Sequence, residues 1–393
     1  MTPAPADRAP ATGGEGPDPA ELERLTAEVA SLLATLCEVP SPSRDERAIA
    51  DHLSARFQAV GATVTEDDAA SSTGGNAGNL VAELPGGRPG RVLLAAHMDT
   101  VPLVPGEPLR AVVEGSVVRS TGRQVLGADD KAGVSVILKL FERLAALAPE
   151  RRPTLVAAIT VCEELGLKGA HHLDVGSLRL DFGYSFDGEV PVGELIAAAV
   201  AKEDLTIEVR GRRAHAALEP ERGVHAVLAA AEVVRAFPLG RVADDQVANV
   251  GRIEGGGATN VVPDEVTLRA EARAFTSSRL DELVERIAAE ASAAVAPLGA
   301  TVGVERRRLY DGYELSEDAE PVRRLAAVAA RHGIAPRLVR SIGGSDTNVL
   351  NQKGVPTVNV GVGMHEIHSI AEWIDAADLA RVVLWVEDAL LGV

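Results

Sequence analysis

Residues 92–100, VLLAAHMDT, decide the reading of the fold: five apolar residues run straight into His97, and Asp99 follows two places later. A short, wholly apolar run reads as a strand buried on both faces, as in a sheet covered by helices on either side. The neighbouring segments fit the same plan. Asn79 to Leu84 reads as a strand upstream; downstream, Ala132 to about Ala148 is helical in pattern, and Thr154 to Thr160 and Phe182 to Phe186 are again apolar runs. Strands alternating with helices predict an α/β domain with a mixed, largely parallel sheet and helices on both faces.

Before this block, Leu22, Leu25, Val29, Leu32, Leu33 and Leu36 fall on one helical face that stops ahead of Val39-Pro40. A second helix is expected from Asp45 to Val60. Residues 1–19 are rich in Pro, Ala and Gly without an apolar period, so a disordered tail is expected there. After Asp187 the character changes. Ala197 to Val209 alternates with period two, and a helix (Val224 to about Phe237), two strands (Val247 to Glu254 and Glu265 to Ala274), a helix (Ser278 to Val295) and a strand (Ala300 to Arg307) follow. That order describes a small α+β layer of ferredoxin-like type. It predicts an inserted domain over 197–310 and a first domain made of 20–196 and 311–393, with helices at Pro321 to His332 and from Ala376, and strands at Arg337 to Ser341 and Thr357 to Val360.

The 393 residues exceed what one core usually supports, about 250 to 300. No uncharged apolar run approaches the roughly 20 residues that span a bilayer, so no membrane partner is expected. A formal charge of −18 with 3% aromatic residues argues against a nucleic-acid surface. The opening MTPAPADRAP has neither the basic start nor the apolar stretch of an export signal. Cys37 and Cys162 offer no disulfide framework, and a cytoplasmic location is expected.

Five separated segments concentrate metal-ligand side chains at the ends of expected strands: His97-Met98-Asp99, Asp129-Asp130-Lys131, Glu163-Glu164, Phe186-Asp187 and His365-Glu366-Ile367-His368. In open α/β sheets ligands gather at the carboxyl ends of strands, so these loops can converge. His97 follows its strand directly, and Asp99 can hold the ring's other nitrogen; a solvated turn is the alternative. Asp129 and Asp130 open an expected helix, where capping competes with metal binding, and a carboxylate can bridge two ions. On an extended segment Glu163 and Glu164 would point opposite ways, one toward metal and the other toward a proton in transit. A solvated acidic turn is the alternative there.

Taken together, His97-x-Asp99, Gly-x-Asp129-x-Lys-x-Gly, Glu163-Glu164, Phe-Asp187 and His368-Ser-x-x-Glu372 resemble the co-catalytic zinc peptidases that include peptidase T, glutamate carboxypeptidase, succinyl-diaminopimelate desuccinylase and acetylornithine deacetylase. LGADDKAG at 126–133, EELGLKGA at 163–170 and GGSDTNVLNQKGVPTVNVGVG at 343–363 look closest to the peptidase T-like branch. The resemblance implies two divalent ions, zinc first and cobalt or manganese as substitutes. One is held by His97 and Asp187, the other by Glu164 and His368, with Asp129 between them. Glu163 is then the general base and Asp99 the partner of His97. His365 competes with His368 as the last ligand.

The same resemblance implies that the inserted domain is a lid and dimerisation domain, that the protein is a homodimer, and that His215 reaches the substrate carbonyl. It also implies that Asn260, Arg273 and, in the Gly343-Gly344-Ser345-Asp346 segment, Gly344 grip the substrate. His225 departs from the family, which more often has Asn there. The expected activity is hydrolysis of a short peptide by metal-activated water, as in a tripeptide aminopeptidase. A deacylase of N-acyl or N-carbamoyl amino acids shares every catalytic residue, and a metal-free binding scaffold is the remaining alternative.

Overall fold

The computed structural model describes residues 16–392. Most of the expected tail, 1–15, lies outside the described residues, and the first helix starts earlier than its apolar pattern, at Pro19 (Pro19–Cys37), where the Asp18 side chain accepts the Ala20 N–H at 3.1 Å. Tertiary contacts divide the chain into two units. One runs up to Ala197 and resumes over Leu315–Val339 and from Ser345 onward; the other is Ala198–Glu314 with Arg340–Gly344. Residues 311–314 and 340–344, expected in the first domain, thus group with the second unit.

Seven strands of a nine-stranded sheet lie wholly or mainly in the first unit, β1 (Thr63–Glu66), β2 (Leu80–Leu84), β3 (Arg91–His97), β4 (Thr154–Thr160), β5 (Phe182–Gly188), β6 (Glu194–Ala199, its last two residues counted with the second unit) and β7 (Thr357–Gly361), and Arg337–Ser341, which begins in this unit, pairs with β6. The seven lie in the order β1-β2-β4-β3-β5-β7-β6. The central four, β4, β3, β5 and β7, are parallel, and the outer pairings are antiparallel. Every residue of β4 and β7 is buried, which is why they read as unbroken apolar runs. Alternate residues point to opposite faces. Leu94, Ala96, Ala157 and Ile159 join the core with helices Pro19–Cys37, Ala128–Ala145 and Ala376–Leu391, whereas Leu93, Ala95 and Ala158 pack with Leu350 of helix Asp346–Gln352.

Because β3 and β4 are parallel and in register, His97 opposite Thr160, the loops that follow them leave from the same edge of the sheet. A small antiparallel sheet, with Met364–His365, Trp373–Asp375, Val117–Ser120 and Ala111–Glu114 side by side, presents a hairpin loop between His365 and Trp373. The second unit is an antiparallel sheet in the order Gly240–Ala243, Gln246–Gly255, Glu265–Ala274, Ala201–Arg210, Thr301–Tyr310. Helices Ala226–Ala236 and Ser277–Val295 pack on each other and on that sheet. His225, the departure from the family pattern, caps the first of these helices: its Nδ1 accepts the Leu228 N–H at 3.3 Å, as an Asn side chain would.

Candidate metal centre

Helix Ala128–Ala145 starts four residues before its apolar pattern, and the Asp129 and Asp130 backbones inside its first turn are not helical. Gly127 leads into it at φ 72°, with Thr100 Cγ2 only 2.9 Å from where a β-carbon would stand, so both conformation and space demand glycine. The two aspartates part company here. Asp130 turns to the main chain, accepting the N–H groups of His97 (3.2 Å) and Gly133 (3.0 Å). Asp129 faces two imidazoles, one per oxygen: Oδ1 lies 3.1 Å from His97 Nε2 and Oδ2 lies 3.0 Å from His368 Nε2.

His97 is 1% exposed at the end of β3. Its Nδ1 is 2.9 Å from the Asp99 carbonyl and 3.4 Å from the Asp99 carboxylate. A carbonyl only accepts, so Nδ1 carries the proton. Nε2 faces Asp129 Oδ1: it donates there when the ring is protonated, and it offers its lone pair as a ligand when the ring is neutral. His368 Nε2 also lies 2.9 Å from Glu164 Oε1, a buried oxygen that has no hydrogen bond despite this approach. The contact is one of charge, not of aligned donor and acceptor.

Donor atoms of His97, Asp129 and Asp187 all lie within 4.8 Å of one another, and so do those of Asp129, Glu164 and His368. Asp129 belongs to both sets. Five side chains from five separate segments therefore meet at one place, with a carboxylate common to two triplets.

The electrostatics test whether ions fit. Burial pushes the Asp187 carboxyl well above the usual range, and Asp129 beside it adds to the rise. Burial does the same to Glu163. For Asp129 burial is outweighed by the hydrogen bonds of His368 and His97, which hold it below its ordinary value. The close approach of the Asp129 and Glu164 carboxylates lifts His368 to about 10. Carboxylates thus outnumber the imidazoles, and nitrogen and oxygen donors converge in two triplets. That donor set suits divalent ions, and the orphaned Glu164 oxygen lies in one of the two triplets.

Glu163 stands apart from both sets. The 163–164 segment is a turn, not the extended segment the sequence suggested: Gly166 and Leu167 N–H groups both return to the Glu163 carbonyl, and Cys162 adopts φ 52°. The two carboxylates are separated by this turn and not by strand alternation. Asp99 fastens it, accepting the N–H of Glu163 at 2.9 Å, that of Glu164 at 3.3 Å and the Ser43 hydroxyl at 2.7 Å. Its carboxylate thus does more for the Glu163-Glu164 turn than for His97, whose Nδ1 is closer to the Asp99 carbonyl.

His365 is not in the cluster. It pairs with Trp373 across the small sheet, and the two rings stack at 3.9 Å, leaving His368 in the loop at φ 62°. Four residues near the cluster had no role assigned from sequence. Glu46, fully buried, accepts the Cys162 N–H at 3.1 Å, and Ser43 reaches Asp99. Asp346 meets the Thr160 hydroxyl, and Glu372 accepts main-chain N–H groups at the start of helix Ala128–Ala145. Two of them had a sequence signal: Glu372 in its spacing from His368, and Asp346 in the Gly343-Gly344-Ser345-Asp346 segment.

In the second unit the structure brings His215 and Asn260 together: His215 pairs with Val261, and the Asn260 carbonyl accepts the Ala216 N–H at 3.0 Å. His215 Nδ1 accepts the N–H groups of Ala217 and Leu218, each at 3.2 Å, so in the neutral ring the proton sits on Nε2, which is left as a donor. Arg273 is engaged within its own unit, with Nε and Nη2 on Glu271 (3.0 and 3.3 Å) and Nη1 on the Ile342 carbonyl (3.1 Å). A β-carbon on Gly344 would stand 2.2 Å from the Tyr310 ring, a packing reason for glycine there.

Residues 93–391 match the family described as peptidase family M20/M25/M40. The chain is 36% identical to the uncharacterized protein YqjE of Bacillus subtilis (strain 168) over 361 residues, 90% of this chain and 96% of that protein. Among solved structures it is similar to aminopeptidase PepT from Bacillus cereus ATCC 10987, at 34% identity and a TM-score of 0.83, covering 94% of this chain and 98% of that one. It is also similar to a tripeptidase from Staphylococcus aureus subsp. aureus mu50, at 32% identity and 0.84, covering 93% and 97%.

Proposed function

The chain belongs to peptidase family M20/M25/M40, in its peptidase T-like branch, and from that premise we propose that this metal-dependent hydrolase is an aminopeptidase of tripeptides and similarly short peptides. One observation carries the reading: two donor triplets share Asp129, while the buried Glu163 belongs to neither.

His97 and Asp187 would hold one ion and Glu164 and His368 the other, with Asp129 between them. Zinc is the proposed metal, because imidazole and carboxylate donors are its usual ligands; cobalt or manganese would be accepted by the same set. When bound, the ion pair supplies Lewis-acid polarisation at the reaction centre. Glu163 takes the proton of the attacking water and delivers it to the leaving amine. Asp99 keeps Glu163 in place by holding the N–H groups of the turn, and its carbonyl keeps His97 in one tautomer. His215 donates its Nε2–H to the carbonyl oxygen as negative charge develops there. Asn260 and the Gly344 segment are assigned to the substrate's far end. Arg273, its fork engaged by Glu271, is assigned there through its charge.

The reading extends to a cytoplasmic homodimer. Both cysteines are free and buried, and among the described residues no helix is long and apolar enough to cross a membrane. The test is a panel of tripeptides, dipeptides and N-acyl amino acids, each assayed with zinc, cobalt and manganese. Release of the amino-terminal residue from tripeptides is expected. Hydrolysis confined to N-acyl or N-carbamoyl amino acids would replace the aminopeptidase by a deacylase.

A further inference from the structure

We propose that Glu372 is a positioning residue that sets the separation between His368 and Asp129, an inference that rests on the two-ion reading above. Glu372 is 2% exposed and follows His368 by four residues. Each of its carboxylate oxygens has its own partner: Oε2 accepts the Gly127 N–H at 2.7 Å and Oε1 accepts the Asp129 N–H at 3.0 Å. These are donors at the start of helix Ala128–Ala145, where the helix leaves N–H groups without internal acceptors and where negative charge is favoured. Gly127 has no side chain to cap that helix, so the cap comes from a residue 245 positions away.

The other end of Glu372 is fixed as firmly. Its N–H donates to the Ser369 carbonyl (3.3 Å) and its carbonyl accepts the Ser120 N–H (3.5 Å). The next residue, Trp373, pairs with Arg119 on one side and His365 on the other. Glu372 therefore joins the hairpin loop that carries His368 to the turn that carries Asp129, and one of its two bonds is to Asp129 itself. Sliding either loop breaks a charge-assisted hydrogen bond in a buried place. The 3.0 Å approach of His368 Nε2 to Asp129 Oδ2 is thus held by the main chain on both sides.

The test is Glu372→Gln, which keeps the shape but turns an NH2 group toward one of the two N–H donors. Zinc binding to metal-free protein, followed by calorimetry or by dialysis against a buffered indicator, is expected to weaken about 10- to 100-fold relative to wild type. The visible absorption of the cobalt-loaded protein is expected to change with it, and the metal-free chain is expected to melt somewhat lower, one buried N–H having lost its acceptor. His365→Ala, which disturbs the same hairpin by removing the stack on Trp373, is expected to bind zinc as wild type does. If Glu372→Gln does not fold, Glu372→Asp, whose shorter carboxylate cannot serve both N–H groups, carries the same expectation. Wild-type affinity and spectrum in the Glu372 variant overturn the inference, as does an equal loss in His365→Ala. A wild-type chain that binds fewer than two ions overturns the function proposed above, and this inference with it; two ions in wild type with no change in the variant overturn this inference alone.

Discussion

Replacing Glu163 by Gln separates the chemistry of this site from its architecture. Glu163 is 9% exposed and outside both donor triplets, and an amide has the same shape as its carboxylate. Two ions per chain should therefore remain. What is lost is the proton acceptor, and a positioned acid–base group contributes about 10²- to 10⁴-fold to rate. At about 1.4 kcal/mol per factor of ten, the barrier should rise by about 3 to 5.5 kcal/mol. Stability should move the other way. Burial disfavours the charged Glu163, and Asp346, Glu164 and Asp99 add like charge around it, with His97 opposing. A neutral amide removes that repulsion, so the metal-free variant should melt no lower than wild type. The assay is tripeptide turnover by chromatography, with metal content by mass spectrometry on the same preparation. Turnover within about tenfold of wild type would refute the proton-transfer role, and a drop to one ion per chain would make Glu163 a ligand.

The other expectations are shorter. His215→Ala should keep both ions and lose about 10²- to 10³-fold in kcat, as removal of one oxyanion donor does elsewhere; an unchanged kcat would take the second unit out of catalysis. Asp129→Ala should bind neither ion tightly, measured by dialysis against zinc, because its two oxygens face both imidazoles; one ion retained at wild-type affinity would contradict the shared carboxylate. Chelation should abolish turnover and added zinc, cobalt or manganese should restore it; undiminished turnover in chelator would remove metal from the mechanism. Asp99→Ala strips the acceptor from Ser43 and from the Glu163 and Glu164 N–H groups. At about 1 to 3 kcal/mol for each buried group left unsatisfied, urea unfolding should show a loss of several kcal/mol, and a variant as stable as wild type would mean the turn is held by something else.

What the sequence disclosed follows the range over which each force acts. The central strands were legible because burial on both faces leaves an apolar run, as in VLLAA before His97. The segments that meet at the metal centre were legible because each sits at a strand end or a tight turn with its functional side chain beside it. What stayed hidden is held by contacts across long stretches of chain. Nothing near Glu46 announces that it caps the Cys162 N–H, and nothing near Ser43 points to Asp99. The Glu163-Glu164 segment was misread as extended because its turn depends on Asp99, 64 residues earlier. The start of helix Ala128–Ala145 was set too late because its first turn carries Asp129 and Asp130 where an apolar pattern would be sought. His365 and His368 differ by one register choice in a hairpin, and the pairing of His365 with Trp373, which removes it from the cluster, is a tertiary fact.

The buried charge also bears on why the frame around the centre is so heavily tied. Asp129, Asp187, Glu163 and Glu164 gather beside two imidazoles, His97 and His368, and carboxylates gathered in a low-dielectric space repel one another unless cations intervene. A flexible set of loops would relax that repulsion by turning side chains out to water, and the geometry would be gone before any ion arrived. Here the turn of Glu163 and Glu164 is held by Asp99, and the start of helix Ala128–Ala145 by Glu372 and by Asp130, which also accepts the His97 N–H. In each case a carboxylate receives main-chain N–H groups. Carboxylates satisfied in this way hold the loops, so the ligand carboxylates are kept facing inward for ions to neutralise. The same arrangement explains why a single glutamate can stay out of the ligand set and remain a base: its backbone is pinned where its side chain is not.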